Sequence, residues 1–264
     1  MLKNSEIITE ICNISIEAGS IINKFYKLKN NIAYKKDQTP LTEADLASNE
    51  FIIKSLSKID SSVPILSEEK LVDWEIRKNW EKYWLIDPLD GTKEFIKKND
   101  EFTVNIALIK NNSPIMGIIY APALSTLYFA SLKKGTYKMQ CKKKINSLNN
   151  SYKIHTSTKN KSQKMKIICS RSHNNIMIQN WLNKNINKYE IINKGSSLKF
   201  CYVAEGAADL YVRTSPSSEW DIAAGHIILA EAGGKITTID GKKILYNTKD
   251  NVINPYFIAS CNLI

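Results

Sequence analysis

Three short acidic segments carry the chemistry open to this sequence: Ser67-Glu68-Glu69, Asp87-Pro88-Leu89-Asp90-Gly91-Thr92 and Trp220-Asp221-Ile222-Ala223-Ala224-Gly225. Each stands at the end of an apolar stretch, where a rigid element fixes the carboxylate in place. Carboxylates that converge repel one another and stay ionised only around a cation. Ligation by oxygen alone selects a hard ion, magnesium first and manganese second. Glu68, Asp87, Asp90 and Asp221 are the candidate metal ligands, and the Leu89 carbonyl can also point inward from its turn. Gly91 lets the backbone approach an anion closely. The Gly91 and Thr92 amides, at a helix start, form a phosphate seat. Metals beside such a seat have the geometry for phosphoryl transfer to water.

Each acid also has a structural reading, and the residues alone leave both open. Asp45 can be the capping partner of Thr42, Asp221 a helix N-cap and Asp90 a turn residue. A carboxylate has four lone-pair directions, so a cap can also bind metal. Glu69 is a weaker candidate than Glu68, because neighbours in a strand face opposite sides.

The elements that position these acids follow from the hydropathy pattern. Ile7, Ile8, Ile11, Ile14, Ala18, Ile21, Ile22 and Phe25 recur at helical spacing. A second helix starts after Thr42 and runs to about Ser57. Val63 to Leu66 reads as a strand delivering Glu68, and Tyr83 to Ile86 as a buried strand that Pro88 ends. From Phe102 to Ala130 the pattern is an antiparallel meander, broken at Asn111-Asn112 and Pro122. Lys138 to Lys144 reads as a solvated hairpin. The polar stretch 142–164 divides an N-terminal α+β half (1–150), holding most ligands, from a C-terminal α/β half (151–264), holding Asp221. In that second half, strands at 166–169 and 209–212 alternate with helices at 176–184, 197–205 and 222–231, the last opened by Asp221 and closed by Gly233-Gly234.

Composition narrows the class. No apolar run reaches the roughly 18 residues of a membrane span. Glu6, Glu10 and Glu17 interrupt the N-terminus as a signal peptide, so the cytoplasm is the expected location. The net charge of +11 raises a nucleic-acid-binding alternative. The excess is mostly Lys, accompanied by abundant Asn and Ile, the mixture an A+T-rich genome produces whatever the function. Acids in a binding face would repel phosphate, so that alternative leaves the four carboxylates unexplained. Five cysteines without CxxC spacing and three histidines without ligand spacing give no material for disulfides or a zinc site.

Together the three acidic segments resemble the inositol monophosphatase superfamily, the lithium-sensitive, magnesium-dependent phosphatases. Its motifs are an acidic pair after a strand, D-P-[IL]-D-G-T, and W-D-x-A-A-G. They stand here in order and at matching separations, within a likeness running from Lys36 to Gly234. Tyr83 to Ile96, with Lys93-Glu94 after the turn, is similar to the branch of 3'(2'),5'-bisphosphate nucleotidases of CysQ type. Glu101 to Ile109, Ser170-Arg171-Ser172-His173 and Gly195 to Cys201 add to that likeness.

The resemblance implies a layered α-β-α-β-α sandwich with the site between the halves. It implies two or three magnesium ions on Glu68, Asp87, Leu89, Asp90 and Asp221. Thr92 and Asp45 match the pair that orients and deprotonates the attacking water, with Glu68 as the third catalytic group. Substrate contacts are expected from Glu68, Leu89, Asp90, Gly91, Thr92 and Asp221, and from Gly195, Ser196 and Lys199 in the second half. Ser197, Arg171 and His173 are further candidates there, with ordinary helix capping and surface charge as the alternative for these residues, and Lys36 is either an electrostatic helper or a solvated surface residue. The implied substrate is 3'-phosphoadenosine 5'-phosphate, a by-product of sulfate assimilation, cleaved to AMP and phosphate. The rival within the fold is a phosphatase of inositol phosphate or fructose bisphosphate. The family's bacterial members are cytosolic or lie on the inner face of the inner membrane. Oligomeric state is open, a homodimer included.

Overall fold

The structure, a computed structural model, describes residues 4–28, 32–34, 40–159, 163–171 and 176–263. The first half runs α1 (Asn4–Tyr26), β1 (Ile32–Tyr34), β2 (Pro40–Thr42), α2 (Glu43–Ile59), β3 (Ile65–Ser67), α3 (Trp74–Arg77), β4 (Lys82–Asp90), α4 (Thr92–Ile96), β5 (Thr103–Lys110), β6 (Ser113–Ala121), β7 (Thr126–Ser131) and β8 (Gly135–Gln140). The second runs β9 (Tyr152–Ile154), β10 (Thr158–Lys159), β11 (Met165–Ser170), α5 (Ile176–Asn185), β12 (Tyr189–Lys194), α6 (Leu198–Ala204), β13 (Leu210–Arg213), α7 (Glu219–Glu231), β14 (Lys235–Thr238), β15 (Phe257–Ser260) and β16 (Asn262–Leu263).

A seven-stranded sheet has the order β3-β4-β5-β6-β7-β8-β9, and a five-stranded sheet the order β12-β11-β13-β15-β14. The first sheet is antiparallel apart from the β3–β4 pair. Period-two alternation sends neighbouring residues of β4 to opposite faces. Trp84 and Ile86 pack with Ile11, Ile22, Ile52 and Leu56 of α1 and α2. Tyr83 and Leu85 face the other way, into a core shared with α6, α7 and the near face of the second sheet, including Ile168, Tyr211 and Phe257. The far face of that sheet, Ile167, Cys169, Leu210 and Val212, packs on Ile178 and Leu182 of α5. The layers are therefore α-β-α-β-α.

Helix α7 lies inside the sandwich, and its buried residues include Trp220, Ile222, Ala223, Ala224, Ile227, Ile228 and Leu229. A helix apolar all round belongs in such a place. Glycines set its distance: a Cβ added at Gly117 of β6 would lie 2.6 Å from the Ala224 carbonyl oxygen, and one at Gly225 would lie 2.4 Å from the Phe200 ring.

Several expectations need correction. Pro88 does not end β4, which continues to Asp90 through a bulge. Lys138 lies in β8, paired to Glu205 at 2.7 Å, rather than in a solvated hairpin. Tyr152–Ile154, beyond the expected boundary at 150, pairs with β8 and joins the first sheet. Helix α7 begins at Glu219 with Ser218 as its cap, so Asp221 is its third residue and not its N-cap. The five cysteines are free thiols, four of them buried. Among the described residues no helix is long and apolar enough to cross a membrane.

Candidate active site

The bulge in β4 is the local event that makes the site. Asp87 pairs with Asn105 and Asp90 with Thr103, so three steps on β4 match two on β5. In a regular strand, residues three apart face opposite sides; one extra residue reverses that parity and lets both carboxylates serve one cavity. The Asp87 Oδ1 accepts the Leu89 amide at 3.1 Å, which folds the turn over the carboxylate. From α2, the Ser48 hydroxyl donates to the Pro88 carbonyl at 2.9 Å. Gly91 then takes φ +87°, left-handed backbone that glycine tolerates best, and α4 begins at Thr92.

Glu68 arrives by parallel pairing. Ser67 stands opposite Ile86, and the Glu68 amide donates to the Ile86 carbonyl at 3.2 Å, which sets Glu68 beside Asp87. Asp221 arrives from the other half as the third residue of α7, where its Oδ2 accepts the Ser218 amide at 2.9 Å in a capping box. Carboxylate oxygens of Glu68, Asp87 and Asp221 all lie within 4.8 Å of one another. At an effective dielectric constant of about 20, two such charges repel by roughly 3 kcal/mol or more. Burial first, then the charges of Asp90 and Glu68, push the Asp221 carboxyl up to about 8. A divalent cation removes that conflict, and an all-oxygen donor set fits a hard one.

Asp90 lines the same cavity but is not part of the tight trio. Its Oδ2 accepts from the Ser197 amide at 2.6 Å, the Ser196 hydroxyl at 2.7 Å and the Asn105 amide group at 3.4 Å. The Thr103 hydroxyl, 2.6 Å from that of Ser196 and 2.7 Å from that of Ser197, extends this buried network across the two halves.

Asp45 fills both roles the sequence left open. Its Oδ2 takes the Thr42 amide and hydroxyl at 2.7 and 2.5 Å, closing the capping box of α2. Its Oδ1 accepts the Thr92 hydroxyl at 3.3 Å, and the Leu89 carbonyl stands at the same distance from that hydroxyl. Such contacts are long for O–H···O bonds, as catalytic contacts often are before substrate binds.

The second-half candidates reach the site through Asp90. Two adjoining cavities share Asp90, Gly91, Lys93, Glu94, Arg213 and Asp221; Ser196 and Lys199 line one of them. Lys199 is buried and donates to the Ser196 carbonyl. Burial lowers its ammonium to about 8, with Arg213 acting in the same direction and Asp90 opposing. Gly195 packs so tightly that an added Cβ would lie 2.5 Å from the Glu94 side chain.

The sequence profile of the inositol monophosphatase family matches residues 3–260. The chain belongs to the inositol monophosphatase family. It is 43% identical to the 3'(2'),5'-bisphosphate nucleotidase CysQ of Buchnera aphidicola, over 97% of this chain and 94% of that protein. To the CysQ of Escherichia coli K12 it is 38% identical, over 96% and 99%. Among solved structures, CysQ from Bacteroides thetaiotaomicron superposes with a TM-score of 0.87 at 35% identity, covering 99% of both chains. A Thermotoga maritima IMPase shares the fold at 24% identity, with a TM-score of 0.75 over 94% and 89%.

Members of this phosphatase family are generally metal-dependent, and a cluster of acidic residues that could hold a metal ion is present here. Arg171, read as a substrate contact or a surface charge, is held by Glu101 through two 2.8 Å bonds. Lys36 and His173 lie outside the described residues. Ile222, where the family often has a hydroxyl residue, is buried in the core.

Two residues near the site had no role assigned from the sequence: Arg213, and Glu101, which stood only within a family-like segment. Arg213 ends β13, donates to the Ser215 and Pro216 carbonyls, and lines both cavities. Its signal was a lone Arg closing an apolar strand. Glu101 is buried; burial raises its carboxyl, but hydrogen bonds from Arg171, Gly195 and Lys194 outweigh that and hold it at about 2.

Proposed function

We propose that this chain is a magnesium-dependent 3'(2'),5'-bisphosphate nucleotidase of sulfur metabolism, hydrolysing 3'-phosphoadenosine 5'-phosphate to AMP and phosphate. The observation that carries the reading is the meeting of Glu68, Asp87 and Asp221 beside the Thr92–Asp45 pair. The names of the curated relatives support the substrate class.

Glu68, Asp87, the Leu89 carbonyl, Asp90 and Asp221 would hold two or three magnesium ions, or manganese in their place. Bound there, such ions acidify water and offset charge on the phosphate and the leaving oxygen. Thr92 Oγ1, bonded to Asp45, accepts a proton from the attacking water as its own passes to Asp45. The capping box pins the other Asp45 oxygen, so the acceptor does not turn away. Water attacks phosphorus, the bond from phosphorus to the 3'-oxygen breaks, and no covalent phosphoenzyme forms. The Gly91 and Thr92 amides orient phosphate oxygens as charge redistributes. Gly195, Ser196 and Lys199 contact the ribose or the 5'-phosphate, where a second anion would keep Lys199 charged.

The same reading puts most metal ligands in the N-terminal half and the nucleotide-selecting residues in the C-terminal half. It locates the protein in the cytoplasm with a small nucleotide, not a nucleic-acid polymer, as its partner. Sedimentation and membrane fractionation test its two extensions, a homodimer and peripheral attachment to the inner face of the inner membrane. The deciding experiment measures phosphate release from 3'-phosphoadenosine 5'-phosphate and from inositol monophosphate, side by side. Magnesium-dependent release from the nucleotide, abolished by chelator and inhibited by lithium, is expected. An equal or greater rate on inositol monophosphate would overturn the substrate assignment.

A further inference from the structure

Glu101 sits where the two halves of the molecule close on each other. Its Oε2 accepts the Gly195 amide and the Arg171 Nε, both at 2.8 Å, while its Oε1 accepts the Arg171 Nη2 at 2.8 Å and the Lys194 Nζ at 3.1 Å. Four donors use the four lone-pair directions of one buried carboxylate. Its main chain is engaged as well. The Glu101 carbonyl oxygen lies 3.0 Å from the place of a Cβ on Gly195 and 3.1 Å from one on Gly91. The residue thus touches the turn that follows the metal-ligand bulge and the turn that follows β12.

That second turn is the source of two donors to Asp90. Directly after Gly195, Ser196 adopts φ +56°, a left-handed conformation that a side chain with a Cβ rarely takes. In this conformation the Ser196 hydroxyl and the Ser197 amide both reach Asp90 Oδ2. An unfavoured backbone angle persists only where its surroundings over-determine it. The anchor on the preceding residue is the Glu101 carboxylate.

We infer that Glu101 is a positioning residue for Asp90: by gathering Arg171, Lys194 and the Gly195 amide it fixes the Ser196 turn, and through that turn the orientation of the Asp90 carboxylate. The inference rests on Asp90 being a metal ligand, as the proposed function has it. Glu101 itself lines neither of the two cavities at the site. Arg171 and Lys194 act with it, as counter-charges that draw the second half onto the first.

The test is Mn2+ binding to substrate-free protein, followed by electron paramagnetic resonance, for wild type, Glu101→Gln, Ser196→Ala and the double variant. Glu101→Gln retains an acceptor for Gly195 but loses the charge that gathers the two cations. It is expected to weaken Mn2+ binding about tenfold, the usual scale for partners that orient a metal ligand. Because Glu101 acts through Ser196, the double variant should bind no more weakly than Glu101→Gln alone. Wild-type affinity in Glu101→Gln, or losses that simply add, would overturn the inference. So would a lowered melting temperature with unchanged Mn2+ affinity, the signature of a merely structural ion pair. Should Glu101→Gln fail to fold, Arg171→Met decides, with a loss of Mn2+ affinity expected and wild-type affinity counting against. A wild-type protein that neither binds Mn2+ nor hydrolyses the nucleotide defeats the functional reading too; a competent wild type matched by both variants defeats this inference alone.

Discussion

Asp90 gives its Oδ2 to Ser196 and Ser197, donors more than a hundred positions further along the chain, so a ligand bond to a cation falls to its other oxygen. Asp90→Asn is therefore doubly damaging. It removes the charge and sets an NH2 group against either the cation or the Ser197 amide. Turnover measured by phosphate release at saturating magnesium should fall at least a hundredfold, and activity within about tenfold of wild type would refute the assignment. Thr92 offers a cleaner separation. Thr92→Ala removes the hydroxyl between Asp45 and Leu89 and should lower kcat by about 10²–10⁴ with KM little changed. Thr92→Ser should recover most of that loss, and a serine variant as slow as alanine would show that the hydroxyl is not the acting group. At this scale the sequence was informative, since the ligand candidates were readable from residue type and spacing. The partners of Asp90 were not, because Asn105, Ser196 and Ser197 become its neighbours only through pairing and layer closure.

The β4 bulge, the two capping boxes and the turn at Ser196 are the elements that convert chain spacing into geometry. Pro88 was read as a strand end because it lacks the amide that a ladder needs. The ladder instead resumes at Asp90, and the bulge absorbs the proline. Both Asp45 and Asp221 proved to be third residues of capped helices, a device legible at Thr42 but missed at Ser218. Gly91→Ala would force a side chain into φ +87° with its Cβ 3.1 Å from the Glu101 carbonyl oxygen. A cost of about 1–2 kcal/mol and loss of the α4 start are expected, read as a lower melting temperature together with reduced kcat. Helix α7 carries a second testable group. Burial pushes the His226 ring, 2.9 Å from the Tyr246 hydroxyl, down to about 4. The unfolded ring titrates near 6.5, so between about pH 6.5 and pH 4 the native state binds fewer protons than the unfolded one. Stability should be complete above that window and fall as pH drops through it, by at most about 1.4 kcal/mol per pH unit. Denaturant titrations at pH 7 and pH 5 should show a smaller loss for His226→Gln than for wild type; equal losses would exclude the histidine as the cause.

The whole molecule decides whether the two halves deliver their carboxylates to one point. Layer order was implied by the resemblance of the three acidic motifs to the family, not by the hydropathy pattern alone. The distance between layers was not, since a glycine inside a strand announces a close backbone approach without naming what approaches. Here Gly117 faces α7: an added Cβ would stand 2.4 Å from the Ile227 side chain and 2.6 Å from the Ala224 carbonyl oxygen. Gly117→Ala must therefore push the helix outward or bend the sheet, at about 1–3 kcal/mol for an overpacked core. Because α7 carries Asp221 in its first turn while β4 carries Asp87, the same displacement should separate the acidic trio and weaken Mn2+ binding. A suitable control is Gly241→Ala, where φ is +84° but nothing lies within 4 Å of the new Cβ. That variant should lose about 1 kcal/mol from backbone strain alone and keep wild-type Mn2+ affinity. Comparing melting temperature and Mn2+ affinity in the two variants separates global stability from layer spacing. If Gly117→Ala were as destabilised as expected yet bound Mn2+ like wild type, the spacing set by this glycine would not be what brings Asp221 to Glu68 and Asp87.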